Sequence, residues 1–286
     1  MPDEVGAAAC ICRGSDDRVA SIVENMSEPA LSFTDQRPAI ATGDFRMVAE
    51  SEDHAVIDKP PFLLMHPTKP DGKRTLWGEL RELFAFEIAN GGQVSIVNRL
   101  DRETSGLVLV AKTASAARRF GLLMQEQRLA KEYVAIVWGW PEWDKHIVDA
   151  PLDRLGKYEP SAIWLKQSIH ADGSPAFTEF RVENRFLKTT TAGDRFSVIR
   201  ATPRTGRTHQ IRVHLASIGH PVVGDKIYGP QEQLYLQFIK TGWTDELQRH
   251  LLLPRHALHS AKLAIAGEVE WISDLPPDLA NFVEGN

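Results

Sequence analysis

From Phe45 onward, apolar residues fall into short runs separated by turn-like clusters, with a few longer stretches at helical spacing. "FRMVAES" and "HAVIDKP" predict two strands around the turn "EDH", the second ended by Pro60 and Pro61. "TLWGELRELFAFEIA" (75–89) spaces Leu76, Leu80, Leu83 and Phe84 as one helical face, and Gly91-Gly92 stops it. "QVSIVNRL" predicts a strand, "GLVLVA" a fully buried strand, and "SAARRFGLLMQEQ" a helix. "KEYVAIVWG" is a strand rich in β-branched and aromatic residues.

The second half is richer in strands: "AIWLKQS", "AFTEFRVENRF", "RFSVIRATP" and a late "HALHSAKLAIA". Between them, "THQIRVHLASIGHP" predicts a helix with Thr208 as N-cap, an Ile211/Leu215/Ile218 stripe, Gly219 as C-cap and Pro221 as stop. Two more helical segments fall between residues 231 and 252. Strands and helices mix without regular βαβ alternation, so the fold class is α+β with a mixed or antiparallel sheet. Residues 1–44 show no sustained period and are acidic. They are expected to form a poorly ordered N-terminal extension ahead of one domain over 45–286.

Composition adds bounds. No apolar run approaches the roughly 18 residues that span a membrane. The N-terminus lacks a basic region ahead of an apolar core, so a cytoplasmic address is expected. Cys10 and Cys12 are too few for a disulfide framework or a closed zinc site. The net charge of −5 argues against nucleic acid, but its distribution does not: residues 1–58 carry twelve acids and four bases. Arg195, Arg200, Arg204, Arg207 and Arg212 then fall in a stretch with no acid, a local field suited to phosphates.

Three side chains are candidates for chemistry. Asp101 follows a strand on which alternation puts Val97, Arg99 and Asp101 on one face. Alone, such an Asp is more readily a turn residue, helped by Thr104 and Ser105. Tyr133 lies on a strand and by itself reads as a core aromatic. Arg212 flanks the apolar stripe of its helix, at the edge of a cleft or simply on the surface.

Taken together, "NRLDRETSGLVLVAKT", "KEYVAIVWG", "GRTHQIRVHLASIGHPVVGDKIYG" and "HALHSAKL" closely resemble, in that order, the successive motifs of the RluA-type pseudouridine synthases. Weaker matches are "DKPPFLLMHP", "APLDR" and "GSPAFTEFRV", and the resemblance covers about residues 45–272. It implies a mixed, largely antiparallel sheet with flanking helices and a basic cleft. It also implies isomerisation of uridine to pseudouridine in structured RNA, rRNA or tRNA, with no cofactor and no metal. A monomer without an obligatory protein partner is expected.

In that resemblance Asp101 matches the catalytic aspartate, which attacks or stabilises C1′ or abstracts the 2′-hydrogen. Tyr133 matches the active-site tyrosine, placed to stack on uracil and help remove the C5 proton. Arg212 matches the arginine paired with the aspartate. Arg99, Thr104, Arg207, His209 and Leu258 are expected around the substrate, with Leu258 as an apolar wall and Arg99 filling the space of a flipped nucleotide. Three positions depart from the family pattern: Asn98 stands for the usual His, Pro61-Phe62 for a small residue and Gly, and Ser260 for Ala. Asn98 is expected to point away from Asp101. The extension does not resemble the S4-type RNA-binding module of some relatives. Two other readings are a catalytically silent RNA-binding or folding factor and a glycoside or nucleoside hydrolase, which needs a second carboxylate to activate water.

Overall fold

The structure, a computed structural model, describes residues 45–67 and 73–285. The expected extension over 1–44 and both cysteines lie outside them. The strands are β1 (Arg46–Glu50), β2 (His54–Lys59), β3 (Ser95–Ile96), β4 (Ser105–Ala111), β5 (Leu129–Trp138), β6 (Lys145–Asp149), β7 (Leu152–Arg154), β8 (Gln167–Ile169), β9 (Phe177–Leu187), β10 (Arg195–Pro203), β11 (Leu258–Ile265) and β12 (Val269–Ile272). The helices are α1 (Leu76–Leu83), α2 (Ala85–Ala89), α3 (Ala114–Gln125), α4 (Gln210–Ser217), α5 (Gln233–Thr241), α6 (Asp245–Leu251) and α7 (Pro277–Glu284).

Ten strands form one sheet in the order β1-β2-β4-β11-β5-β10-β9-β6, with β3 on β4 and β12 on β11. Neighbours run antiparallel except β4 and β11, where His259 pairs with Ser105 and Ser260 with Gly106. Gly106 is required there: its φ is +108°, and a Cβ would come within 2.3 Å of the Ser260 carbonyl oxygen. The sheet is thus mixed and largely antiparallel, as expected. β7 and β8 pair separately as a two-stranded sheet.

Every residue of β4 is buried, because both faces of the sheet are covered. Leu107 and Leu109 pack with Phe120 and Leu123 of α3. Val108 and Val110 point the other way, into the core that holds Leu76 and Leu80 of α1. Both helices are capped as their sequences suggest: Thr75 accepts the Gly78 N–H, and Thr113 the Ala116 N–H.

Four expectations are corrected. The single helix over 75–89 breaks at Phe84, whose ring is buried in the core, while α2 buries nothing and leaves Phe86 in solvent. The strand "QVSIVNRL" stops at Ile96, and the reason is Asn98. Its amide donates to the Leu107 carbonyl (3.0 Å) and accepts the Leu109 N–H (2.8 Å), taking the groups on β4 that a continued strand would use. Strand alternation therefore does not place Arg99 and Asp101. "AIWLKQS" is extended only from Gln167; before it the chain turns, with the Lys166 N–H donated to Ile163. Thr208 does not cap α4. That position is His209, in the left-handed region at φ 57°, and residues Gln210 to Leu215 are all buried, so α4 runs inside the protein instead of along its surface.

Candidate active site

Asp101 opens a tight turn between β3 and β4, closed by the Thr104 N–H on the Asp101 carbonyl (3.1 Å). Groups from distant segments fix this turn. Lys59, wholly buried at the end of β2, donates Nζ to the carbonyls of Pro60 (2.7 Å), Leu63 (3.1 Å) and Arg102 (3.2 Å). Burial, with the charge of Arg255 adding, lowers its pKa to about 7. Glu103 accepts Lys226 Nζ (2.8 Å) and the His256 N–H (3.2 Å). The buried Thr104 hydroxyl lies 2.7 Å from His256 Nε2. Arg255, also fully buried, pairs with Asp278 of α7 and reaches the Glu103 carbonyl.

Arg212 points inward from α4 and is 4% exposed. Its Nε and Nη2 donate to Asp225 (2.6 and 2.9 Å), and its Nη1 donates to Asp101 Oδ2 (2.8 Å). Asp225, with no exposed surface, also accepts the N–H groups of Ile227 and Tyr228 (2.9 and 3.0 Å). The turn that delivers it needs Gly224, at φ +76°, where a Cβ would lie 2.0 Å from the Arg255 carbonyl oxygen. Asp225 thus sets the plane of Arg212, and Arg212 sets the rotamer of Asp101.

Burial opposes ionisation of Asp101, yet charges on His209, Arg212 and His256 and the Arg212 hydrogen bond bring its pKa down to about 2. His209 joins in only at low pH: burial and the charge of Arg212 lower its own pKa to about 4, so it is neutral at pH 7. At neutral pH Arg212 holds the carboxylate. Burial likewise opposes charge on Asp225, and Arg212 overrides it, keeping this carboxyl well below the usual range.

Tyr133 projects from β5 opposite Ser260 of β11. Burial raises its phenol to about 12; the Ser260 hydroxyl opposes the shift and the charge of Asp101 adds to it. Ser260 Oγ also donates to the Leu107 carbonyl (3.2 Å). His209 Nδ1 lies 2.8 Å from Tyr228 Oη, which accepts the Gln167 N–H (2.8 Å). Tyr228 then has its hydroxyl proton to give to Nδ1, leaving the His209 proton on Nε2.

These side chains meet in one cleft of about 490 Å³. Asp101, Tyr133, Arg212, Arg99, Thr104, Arg207, His209 and Leu258 all line it, although the turn, β5, α4 and β11 are far apart in the chain. Its positive lining includes Arg99, Arg102, Lys131 and Arg207. That is not the arginine field expected between residues 195 and 224. Arg195 lies over Trp140, Arg200 is bound by Glu183 and Glu132, Arg204 covers Phe177 and Arg212 is buried. Only Arg207 and Arg212 of the five reach the cleft. Among the described residues, no three His, Cys, Asp or Glu side chains gather as a metal site. No helix among them is long and apolar enough to cross a membrane.

Sequence reasoning missed Asp225, Lys59 and Lys131. Lys131 had a usable signal, since it shares a strand face with Tyr133 two residues on.

A family model described as RNA pseudouridylate synthase matches residues 53–217. The ribosomal large subunit pseudouridine synthase D of Nitrosomonas europaea is 33% identical over 244 residues, 84% of this chain and 64% of that protein. The protein of the same name from Escherichia coli K12 is 35% identical over 254 residues, 83% of this chain and 69% of its own length. The chain therefore spans about two thirds of these curated relatives. Human RNA Pseudouridylate Synthase Domain Containing 1 superposes with a TM-score of 0.60 at 27% identity, over 82% of this chain and 86% of that one. Human RNA Pseudouridylate Synthase Domain Containing 4, at 22% identity and a TM-score of 0.62, shares the fold over 83% of this chain and 91% of its own. The chain belongs to the RNA pseudouridylate synthase family.

Proposed function

We propose that this chain isomerises uridine to pseudouridine in structured RNA. The names of its bacterial relatives favour large-subunit ribosomal RNA over transfer RNA. The observation that carries the reading is the Asp225–Arg212–Asp101 array: an ionised carboxylate fixed at the wall of a cleft of nucleoside size, with Tyr133 and Leu258 beside it.

The bond between C1′ and N1 breaks, the uracil turns, and C5 bonds to C1′. C5 then loses its proton and N1 ends protonated, so no atom enters or leaves. Asp101 meets the positive character at C1′ by bonding to it or by taking the 2′-hydrogen. Either route gives back the free carboxylate when C5 bonds to C1′. The Tyr133 hydroxyl lines the same cleft and is placed to help pass on the proton that C5 then gives up. A base stacked in RNA does not reach this cleft, so the nucleotide flips out. Arg99, exposed at the rim, is placed to occupy the gap.

The test is to incubate the chain with rRNA and tRNA fragments and map pseudouridine. Product from the wild type and none from Asp101→Asn is the expected result. Free uracil in place of pseudouridine assigns a hydrolase, and RNA binding without product from any fragment assigns a silent binding factor; either sinks the reading.

A further inference from the structure

The segment from β7 to β8 plays no part in the reaction just described, yet it is unusually arranged. Ile163 is buried with Leu152, Ala176, Val213 and Tyr228, which pins the segment to the protein. The next residue, Trp164, is 74% exposed. Tyr158, Leu165 and Ile169 are exposed as well. Four large apolar side chains in solvent within a dozen residues mark an interaction surface.

Two contacts preset the aromatic rings. The Arg154 guanidinium lies 3.6 Å from the centre of the Trp164 ring, covering one face and leaving the other to solvent. Arg154 Nη1 is enclosed and has no hydrogen-bond partner. Tyr158 stacks on His170 with ring centres 3.4 Å apart and planes 12° from parallel. Its hydroxyl donates to Asp153 (2.9 Å), which Lys157 also neutralises (2.8 Å). Tyr158 and Trp164 line the same shallow depression of about 380 Å³. Lys166 is taken by Glu232. The unused capacity here is an open indole face.

A planar, π-faced ligand fits that face, and nucleobases have that chemistry. The location agrees. Gln167 of β8 bonds to Tyr228, and Tyr228 to His209 at the cleft wall, so two hydrogen bonds join this segment to the site. We propose that Trp164, backed by Arg154 and with the Tyr158–His170 stack beside it, stacks on an unpaired base of the same RNA that places its uridine at Asp101. This inference rests on the RNA reading above.

The test uses the full chain carrying Asp101→Asn, which blocks turnover. A single-stranded, uridine-rich RNA of about a dozen nucleotides with one 2-aminopurine is titrated in, and its quenching is followed. Trp164→Ala is expected to weaken binding about 5- to 100-fold and to lose most of the quench, while Trp164→Phe keeps most of the affinity. In the active chain Trp164→Ala is expected to raise KM more than it lowers kcat. The unfolding midpoint should not move, because the ring is in solvent. Equal affinity and quenching for wild type and Trp164→Ala overturn the inference, as does self-association that depends on Trp164, which assigns the surface to a second copy. Pseudouridine formed with unchanged KM by Trp164→Ala sinks only this inference. A Trp164-dependent quench without pseudouridine from any RNA supports it and sinks the reaction instead.

Discussion

Among the described residues, Arg212 and Arg200 each bridge a pair of carboxylates, in different surroundings. Arg212 joins Asp225 and Asp101 inside the protein; Arg200 joins Glu183 and Glu132 on the sheet surface, where all three side chains are about a quarter exposed. The chemistry is the same and the dielectric is not. Water competes for every bond at Arg200, so that array is worth little. Around Arg212 the alternative to each bond is an unpaired charge in a dry site, so the array admits one geometry. In the proposed reaction the carboxylate must meet one carbon of a flipped nucleotide, which needs the second kind of array.

The contrast predicts its own breaking points. Asp225→Asn leaves the buried Arg212 charge with Asp101 alone and is expected to destabilise by about 3–5 kcal/mol. A urea titration should show the midpoint falling, with activity lost in the remaining folded protein as Asp101 loses its fixed rotamer. A normal midpoint would mean that Asp225 does not set Arg212.

Acid unfolding sharpens the comparison next. His209 and His256 are held neutral by burial, so their contribution is whole above the unfolded value of about 6.5 and is lost as pH falls toward their folded pKa, about 4 for His209. Asp101 and Asp225 have lowered pKa values, so theirs is whole above about 4 and is lost as pH falls toward 2, with Asp101 accounting for on the order of 2 kcal/mol. Stability measured against pH should therefore decline in two stages, and Asp225→Asn should flatten only the lower one. The acid limb of kcat/KM should fall near pH 4, with His209, because Asp101 is still ionised there.

The smallest effect belongs to the outer array. Glu183→Gln is expected to change stability by under about 1 kcal/mol and to leave pseudouridine formation untouched. A loss comparable to that of Asp225→Asn would erase the distinction.

The sequence was informative where one physical signal dominated. β10 runs from Arg195 to Pro203 just as its apolar run predicts, because nothing competes with that pattern. Asp101, Tyr133 and Arg212 stood out through resemblance; their own spacing favoured a turn residue and a core aromatic, and left Arg212 between a cleft edge and the surface. Asn98 defeated the strand prediction because a side-chain amide substituted for the backbone, which periodicity does not register. Asp225 lay inside a quoted motif, but its bond to Arg212 spans thirteen residues and a turn, which is no regular spacing. The supposed arginine field failed because its partners, Glu132, Glu183, Trp140 and Phe177, come from other strands and loops.

Lys59 gives the clamp on the Asp101 turn a measurable side. Its amine is shut away from solvent, and burial brings its pKa down to about 7, so it holds its proton less firmly at neutral pH than an exposed amine does. An ordinary surface lysine is almost wholly protonated there. Lys59 gives its N–H groups to three carbonyls, and an acylating reagent meets the amine only when the segments bearing Pro60, Leu63 and Arg102 separate. Its labelling rate, read by peptide mass, should count those openings, and saturating RNA should slow it. Labelling as fast as that of an exposed lysine would mean that the turn presenting Asp101 is not held shut.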